Sequence, residues 1–387
     1  MGLDCSTSRK PMIDTISQEF LKTIKKKFPI ANQILKSDVS PIINTPVLKI
    51  KDKTYLKLES HQTSGSFKIR GAFLFFQDQP NKQIVVASTG NFAKACFYAY
   101  QSCQEETNNQ SEIFQQEEKQ IQQQIKQDEY NTPTPLPDFQ QQQEQQQQQL
   151  QQKQEYLQEE LNKSKLIIFV PENVNKDKLK DIKCPIIYIG QDCIESEIKA
   201  RQYAEQHNSF YASPYNDINM ILGSCTIGEE LDTYFNSLNE ELDFIFVSCG
   251  GGGLIGGIAL YFKYLKNKTT KIIGVQPKNN AAMYNILRNK SDQKLLETLS
   301  DGTSGGVEEN AITIEICRHL VDDWILVKED QIRDAQIKLL NEHKLVVEGA
   351  AALAYAGFMN YPIGRLTCLI VLCGSNIDPH KIILKNH

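Results

Sequence analysis

Four consecutive glycines, Gly250-Gly251-Gly252-Gly253, stand between the apolar run Phe244-Ile245-Phe246-Val247 and an apolar stretch over residues 254–265. The first run reads as a buried strand, and the second is long enough for a helix. An ordinary strand-to-helix turn needs one or two glycines. Four in succession remove every side chain, so main-chain N–H groups can close around an anion such as phosphate. The strand–helix pattern recurs along the chain. Thr54-Tyr55-Leu56-Lys57-Leu58 reads as a strand before a helix over 67–76, and Ile84-Val85-Val86-Ala87-Ser88 as one before a helix starting at Asn91. Further strands are expected at residues 165–171, 185–189, 271–275, 324–327 and 368–372, with helical spacing over 195–206. Apolar strands alternating with helices predict an α/β fold with mostly parallel sheets.

A polar stretch over residues 104–163 interrupts this pattern. It is dominated by Gln and Glu, including five glutamines in a row at 145–149. Such a segment cannot bury enough apolar surface to offset the entropy of ordering it, so it reads as a low-complexity insertion on the surface. Residues 139–161 have the composition of a solvated helix at most.

With 387 residues, the chain is long enough for two or three folding units. A net charge of −5 gives no basic face for nucleic acid. No apolar run reaches the roughly 18 residues of a membrane span. The ten cysteines include no Cys-x-x-Cys pair, which excludes the usual zinc spacings and points to reduced thiols in the cytoplasm. Met1-Gly2-Leu3-Asp4-Cys5-Ser6 fits the N-myristoylation pattern, with Gly2 as acceptor. One acyl chain anchors weakly, so palmitate on Cys5, or Arg9 and Lys10 against anionic lipid, would be the second signal for membrane association. The plainer alternative is an unmodified tail.

Two further segments carry chemistry. Ser64-Gly65-Ser66-Phe67-Lys68 places small residues before a lysine that opens an apolar helix. Ser88-Thr89-Gly90-Asn91 ends a strand and turns into a helix, presenting backbone N–H groups to an anion. The glycine run also fits the dinucleotide pattern G-x-G-x-x-G through Gly256. That reading requires an acid at the end of the next strand, and the chain has Gln276-Pro277 there.

Taken in order, residues 64–72, Ser88-Thr89-Gly90-Asn91, the four glycines and Cys373-Gly374-Ser375-Asn376 resemble the fold-type II pyridoxal-phosphate enzymes of the threonine dehydratase and serine racemase group. Pro214-Tyr215-Asn216-Asp217, Asp301-Gly302-Thr303-Ser304-Gly305-Gly306 and Val347-Glu348-Gly349-Ala350-Ala351 support the likeness. The resemblance implies two α/β domains. A large one would take residues 41–83 and 218–387, after an N-terminal tail and leading helix over 1–40. A small one would take 84–217, carrying the insertion. It implies pyridoxal 5'-phosphate as cofactor, bound to Lys68 as a Schiff base, with Lys68 also the base at the substrate's α-carbon.

By the same resemblance, Phe67 and Gly302 cover the two faces of the pyridine ring, and Asn91 donates to its phenolic oxygen. Gly250, Gly251, Gly252, Gly253 and the Leu254 N–H bind the phosphate. Cys373 faces the ring nitrogen as a neutral partner, which suits elimination over transamination. Ser88, Thr89, Gly90 and Asn91 receive the substrate carboxylate. The implied reaction is loss of water from L-threonine or L-serine, giving a 2-oxo acid and ammonia, in a homodimer. Thr89 stands where racemases place a serine, so serine racemisation is the alternative; a non-catalytic scaffold is a third. The sequence departs from relatives at Phe92, where many have His, and at Cys225, where a small Gly is usual. Gln276 and Ala282 replace acidic ligands for a divalent cation, so no metal site is expected.

Overall fold

The computed structural model describes residues 16–88, 90–105, 161, 163–174, 176, 179–290 and 293–377. Thr89, the N-terminal acylation pattern and most of the glutamine-rich insertion lie outside the described residues.

Two sheets organise the chain. A four-stranded sheet is built from β3 (Ile84–Ala87), β4 (Leu166–Val170), β5 (Ile186–Tyr188) and β6 (Phe210–Tyr211), in the order β5-β4-β3-β6 and parallel throughout. A six-stranded sheet has the order β1-β2-β10-β7-β8-β9. It contains β1 (Val47–Lys51), β2 (Thr54–Lys57), β7 (Phe244–Ser248), β8 (Lys271–Pro277), β9 (Asp323–Val327) and β10 (Cys368–Val371). Only the β1–β2 pair is antiparallel. Central strands such as β4 and β10 are buried along their whole length, which explains their continuous apolar runs. The edge strand β1 and the two-residue β6 were not legible in this way. β1 alternates with lysines, and β6 is too short to show a period.

The helix that presents Lys68, α1 (Lys68–Asp78), crosses α2 (Ile218–Ser237) almost backbone to backbone. A Cβ on Gly71 would lie 2.6 Å from the Met220 Cα, and one on Gly223 would lie 2.5 Å from the Gly71 nitrogen. Only glycine permits that approach. Beside the crossing, Arg70 is buried and forked. Its Nε and Nη2 donate to Glu59 at 2.8 Å each, and its Nη1 donates to Glu230 at 2.7 Å. The buried Lys57 completes the cluster, donating to Glu230 at 2.6 Å. The stretch expected as one helix over 254–265 is α-helical over Gly253–Ala259 and then π-helical over Leu260–Leu265.

Cys225 is fully buried in α2. Among the described residues, no helix is long and apolar enough to cross a membrane.

Candidate active site

The carboxyl ends of β3, β7 and β10 open into one cleft of about 1220 Å³. Parallel sheets bind ligands at this end, where strand-to-helix turns converge. The cleft brings together Phe67, Lys68, Ser88, Gly90, Asn91, all four glycines of the run, Leu254, Gly302 and Cys373. Of the cofactor and substrate residues expected from sequence, Thr89 is outside the described set.

Lys68 is placed by strand-like pairing before its helix begins. Ser66 bridges Gly374, the Phe67 N–H donates to the Cys373 carbonyl at 3.1 Å, and the Ser375 N–H donates to the Gly65 carbonyl at 2.9 Å. The lysine segment is thereby pinned against the end of β10, beside Cys373. Gly65 has φ of +74°, and a Cβ there would strike the Asn376 side chain at 2.7 Å, so the turn requires glycine. The Lys68 ammonium lies 6.0 Å from the ring centroid of Phe92. Phe92 is fully buried beneath the lysine, so this departure from His shapes the lysine's surroundings. Burial lowers the Lys68 pKa, opposed chiefly by the negative charge of Glu348.

Close neighbours crowd every glycine of the run. Gly250 lies against the Thr303 backbone, and Gly251 and Gly253 lie against Tyr215. Gly252 alone is left-handed, at φ +90°. The Thr313 hydroxyl donates to the Gly251 carbonyl at 2.7 Å, which ties the loop to the residues after it. Gln276 anchors the approach to the loop: its Nε2 donates to the Cys249 carbonyl at 3.0 Å and its Oε1 accepts from the Tyr284 N–H at 2.7 Å. Both ends of this buried amide are therefore engaged in protein contacts.

At the opposite wall, the Ser88 hydroxyl accepts from the Gly90 N–H at 3.3 Å. Asn91 opens α3 (Asn91–Glu105). Its Nδ2 donates to both oxygens of Glu348, at 2.7 and 2.9 Å, and its Oδ1 accepts from Asn376 at 2.8 Å. The Cys373 thiol accepts from the Ser248 hydroxyl at 3.6 Å, and burial, then the Glu348 charge, pushes its pKa up to about 12.

A family model described as pyridoxal-phosphate dependent enzyme matches residues 39–102 and 160–374. The chain belongs to that family. It is 28% identical over 374 residues to the catabolic L-threonine dehydratase of Escherichia coli (strain K12), covering 93% of each chain. Among solved structures, the processed threonine deaminase isoform 2 of Solanum lycopersicum superposes with a TM-score of 0.67 at 23% identity, covering 95% of this chain and 94% of that one. Maize serine racemase superposes with a TM-score of 0.68 at 21% identity, covering 93% and 95%. These two share the fold. The two-sheet α/β architecture is the fold-type II arrangement expected of the family.

The residues present fit pyridoxal phosphate. A buried amine, a loop with no room for any Cβ, and a thiol held neutral lie in one cleft. Two residues of that cleft escaped the sequence reading as functional. Glu348 stood only in a supporting block, and Lys94 carried no signal at all, because an isolated lysine in a helix is ordinary. In the fold, the Lys94 ammonium reaches the Asn376 Oδ1 at 3.5 Å, inside the cleft.

Proposed function

We propose that this protein is a pyridoxal-phosphate-dependent ammonia-lyase acting on L-threonine or L-serine. The observation that carries the reading is the Lys68 amine, depressed in pKa by burial, held beside the neutral thiol of Cys373 and facing the glycine run. Similarity to the E. coli catabolic dehydratase over nearly the whole of both chains supports the substrate class.

The bound cofactor would supply an electron sink for the bond broken at the substrate's α-carbon. Lys68 would hold it covalently, and once displaced by substrate its amine would accept the α-proton. A lysine serves as base only when its pKa is brought down toward neutrality, which its burial does. The N–H groups of residues 250–254 would cradle the phosphate, and Phe67 and Gly302 would flank the ring. Asn91 would donate to the ring's oxygen. Ser88, Thr89, Gly90 and Asn91 would orient the substrate carboxylate at the start of α3. Cys373, uncharged, would leave the ring nitrogen without a proton donor strong enough to favour transamination. The net change is hydroxy amino acid to 2-oxo acid and ammonia, with water lost from the β-carbon and regained on hydrolysis.

The unit built on β3–β6, residues 84–217, is taken as the smaller domain that closes the cleft over substrate, against the larger unit of residues 41–83 and 218–387. A homodimer is the expected assembly. Acylation at Gly2 would attach it weakly to membranes, and the intact mass of the native protein tests that reading.

Incubation with L-threonine and with L-serine, assaying 2-oxobutyrate, pyruvate and D-serine together, decides the activity. The expected products are the 2-oxo acids; D-serine as the major product would make the protein a racemase, the second reading that the hydroxyl of Thr89 keeps open. Lys68→Ala should abolish both the yellow colour and turnover. A chelator should leave turnover unchanged.

A further inference from the structure

Glu348 is a carboxylate with 4% of its surface exposed, at the head of α4 (Gly349–Met359), and the reaction just described uses it nowhere. Its surroundings are specific. An ordered chain of donors and acceptors crosses the cleft and ends on it: Lys94 donates to the Asn376 oxygen at 3.5 Å, Asn376 donates to the Asn91 oxygen at 2.8 Å, and Asn91 donates to Glu348 at 2.7 and 2.9 Å. The chain begins at a cation and ends at an anion, so each amide is polarised in one sense and neither can flip without losing two bonds. A second bond from Asn376, to the Ser64 carbonyl at 2.9 Å, fixes its orientation independently.

Both acceptors of Asn91 are oxygens of one carboxylate. They lie too close together to take the two diverging N–H bonds of an amide, so a single N–H is shared between them and the other remains for a ligand. Space at the carboxylate is also tight. A Cβ on Gly374 would fall 2.4 Å from the Glu348 Oε1, and one on Gly302 would fall 3.4 Å from it. Those glycines leave room for this side chain as well as for a ring.

We propose that Glu348 is a positioning residue of the cofactor site, whose carboxylate orients the Asn91 amide toward the cofactor's ring oxygen and sets the charge that Lys68 faces. The inference rests on the cofactor reading above and not on which reaction follows. Lys68 is faced by Glu348, Cys373, Cys96 and Asp301, of which Glu348 acts most strongly. Cys373 and Cys96 are buried thiols whose pKa values are raised by that burial, so they carry no charge near neutrality. Removing the Glu348 charge disfavours a cation at Lys68 and therefore lowers the pH at which that cation is lost.

Two substitutions in the full-length holoenzyme separate the two parts. Glu348→Gln keeps an oxygen that accepts from Asn91 and removes the charge. The pH midpoint of the visible absorption of the Lys68-bound cofactor should move down by about one unit, with the dissociation constant for pyridoxal phosphate held within about threefold. Glu348→Ala removes acceptor and charge together. It should move the midpoint similarly and raise the dissociation constant about tenfold or more, the order expected for losing a hydrogen bond to a charged group. An unmoved midpoint in Glu348→Gln, or unchanged cofactor affinity in a folded Glu348→Ala, overturns the proposal. Should Glu348→Ala fail to fold, the midpoint in Glu348→Gln decides alone. A wild-type protein that binds pyridoxal phosphate but converts neither threonine nor serine would fail the lyase reading and leave this one standing. Failure to bind the cofactor at all would overturn both.

Discussion

At the scale of single residues, one physical cause acts oppositely on the two groups at the centre of the cleft. Burial disfavours charge, so it lowers the pKa of the Lys68 amine and raises that of the Cys373 thiol to about 12. Both are driven toward the neutral form that the chemistry needs. Cys373→Ser keeps a neutral hydrogen-bonding group and should retain turnover within about tenfold. Cys373→Asp would place a carboxylate where the proposed site puts the ring nitrogen, and should lower 2-oxo acid formation by more than about tenfold, roughly 1.4 kcal/mol at the barrier. Equal rates in the two variants, measured as kcat at saturating threonine, would remove the argument from neutrality. Lys68, Asn91 and the glycine run were legible in the sequence because each lies in an ordered local motif. Glu348 was not legible as a site residue. Its partner Asn91 is 257 positions away in the chain, and only the fold makes them neighbours.

At the scale of elements, the position of Lys68 depends on how α1 is held. The Gly71–Gly223 crossing sets the distance to α2, and the Arg70 cluster ties α1 to α2 and to the segment after β2. Arg70→Ala would leave Glu59 buried without its paired cation and Glu230 with Lys57 alone. A loss of about 3–5 kcal/mol in urea unfolding is expected, and a loss below 1 kcal/mol would mean that the cluster holds nothing. Asp217 caps the start of α2, accepting from the Asn219 N–H at 2.7 Å. Burial pushes its carboxyl up to about 6, against that hydrogen bond. A carboxyl whose folded pKa lies above its unfolded value favours the folded state at low pH, and that advantage is lost as pH rises through about 6. Asn caps a helix as well as Asp and carries no charge. Asp217→Asn should therefore be more stable than the wild type by about 1–3 kcal/mol at pH 7, with the difference closing near pH 4. Urea titrations at the two pH values test this, and a variant no more stable at neutral pH would refute it.

At the scale of the whole molecule, the glutamine-rich segment enters after α3 and the chain returns into β4. The return is tied down by Gln83, whose Nε2 donates to the Leu161 carbonyl at 2.6 Å and the Ser164 carbonyl at 2.8 Å. The return is thus held beside the start of β3. Replacing residues 108–158 by a short Gly/Ser linker should leave turnover within about twofold and the cofactor bound, as expected of a low-complexity insertion that carries none of the site residues. A larger loss, read from kcat/KM alongside the yellow absorbance, would give the segment a role in the enzyme. What the sequence determined by itself was the class of fold and the cofactor chemistry, because strand periodicity, strand-to-helix turns and runs of glycine are local features written in consecutive residues. What only the tertiary structure decided was the reason for those features and the contents of the site. Gly250, Gly251 and Gly253 are glycines because Thr303 and Tyr215 occupy the space a side chain would need. Lys94, Asn376, Asn91 and Glu348 form one chain across the cleft. Close approach and charge pairing act through space, so residues far apart in the chain acquire their roles only where the two sheets bring them together.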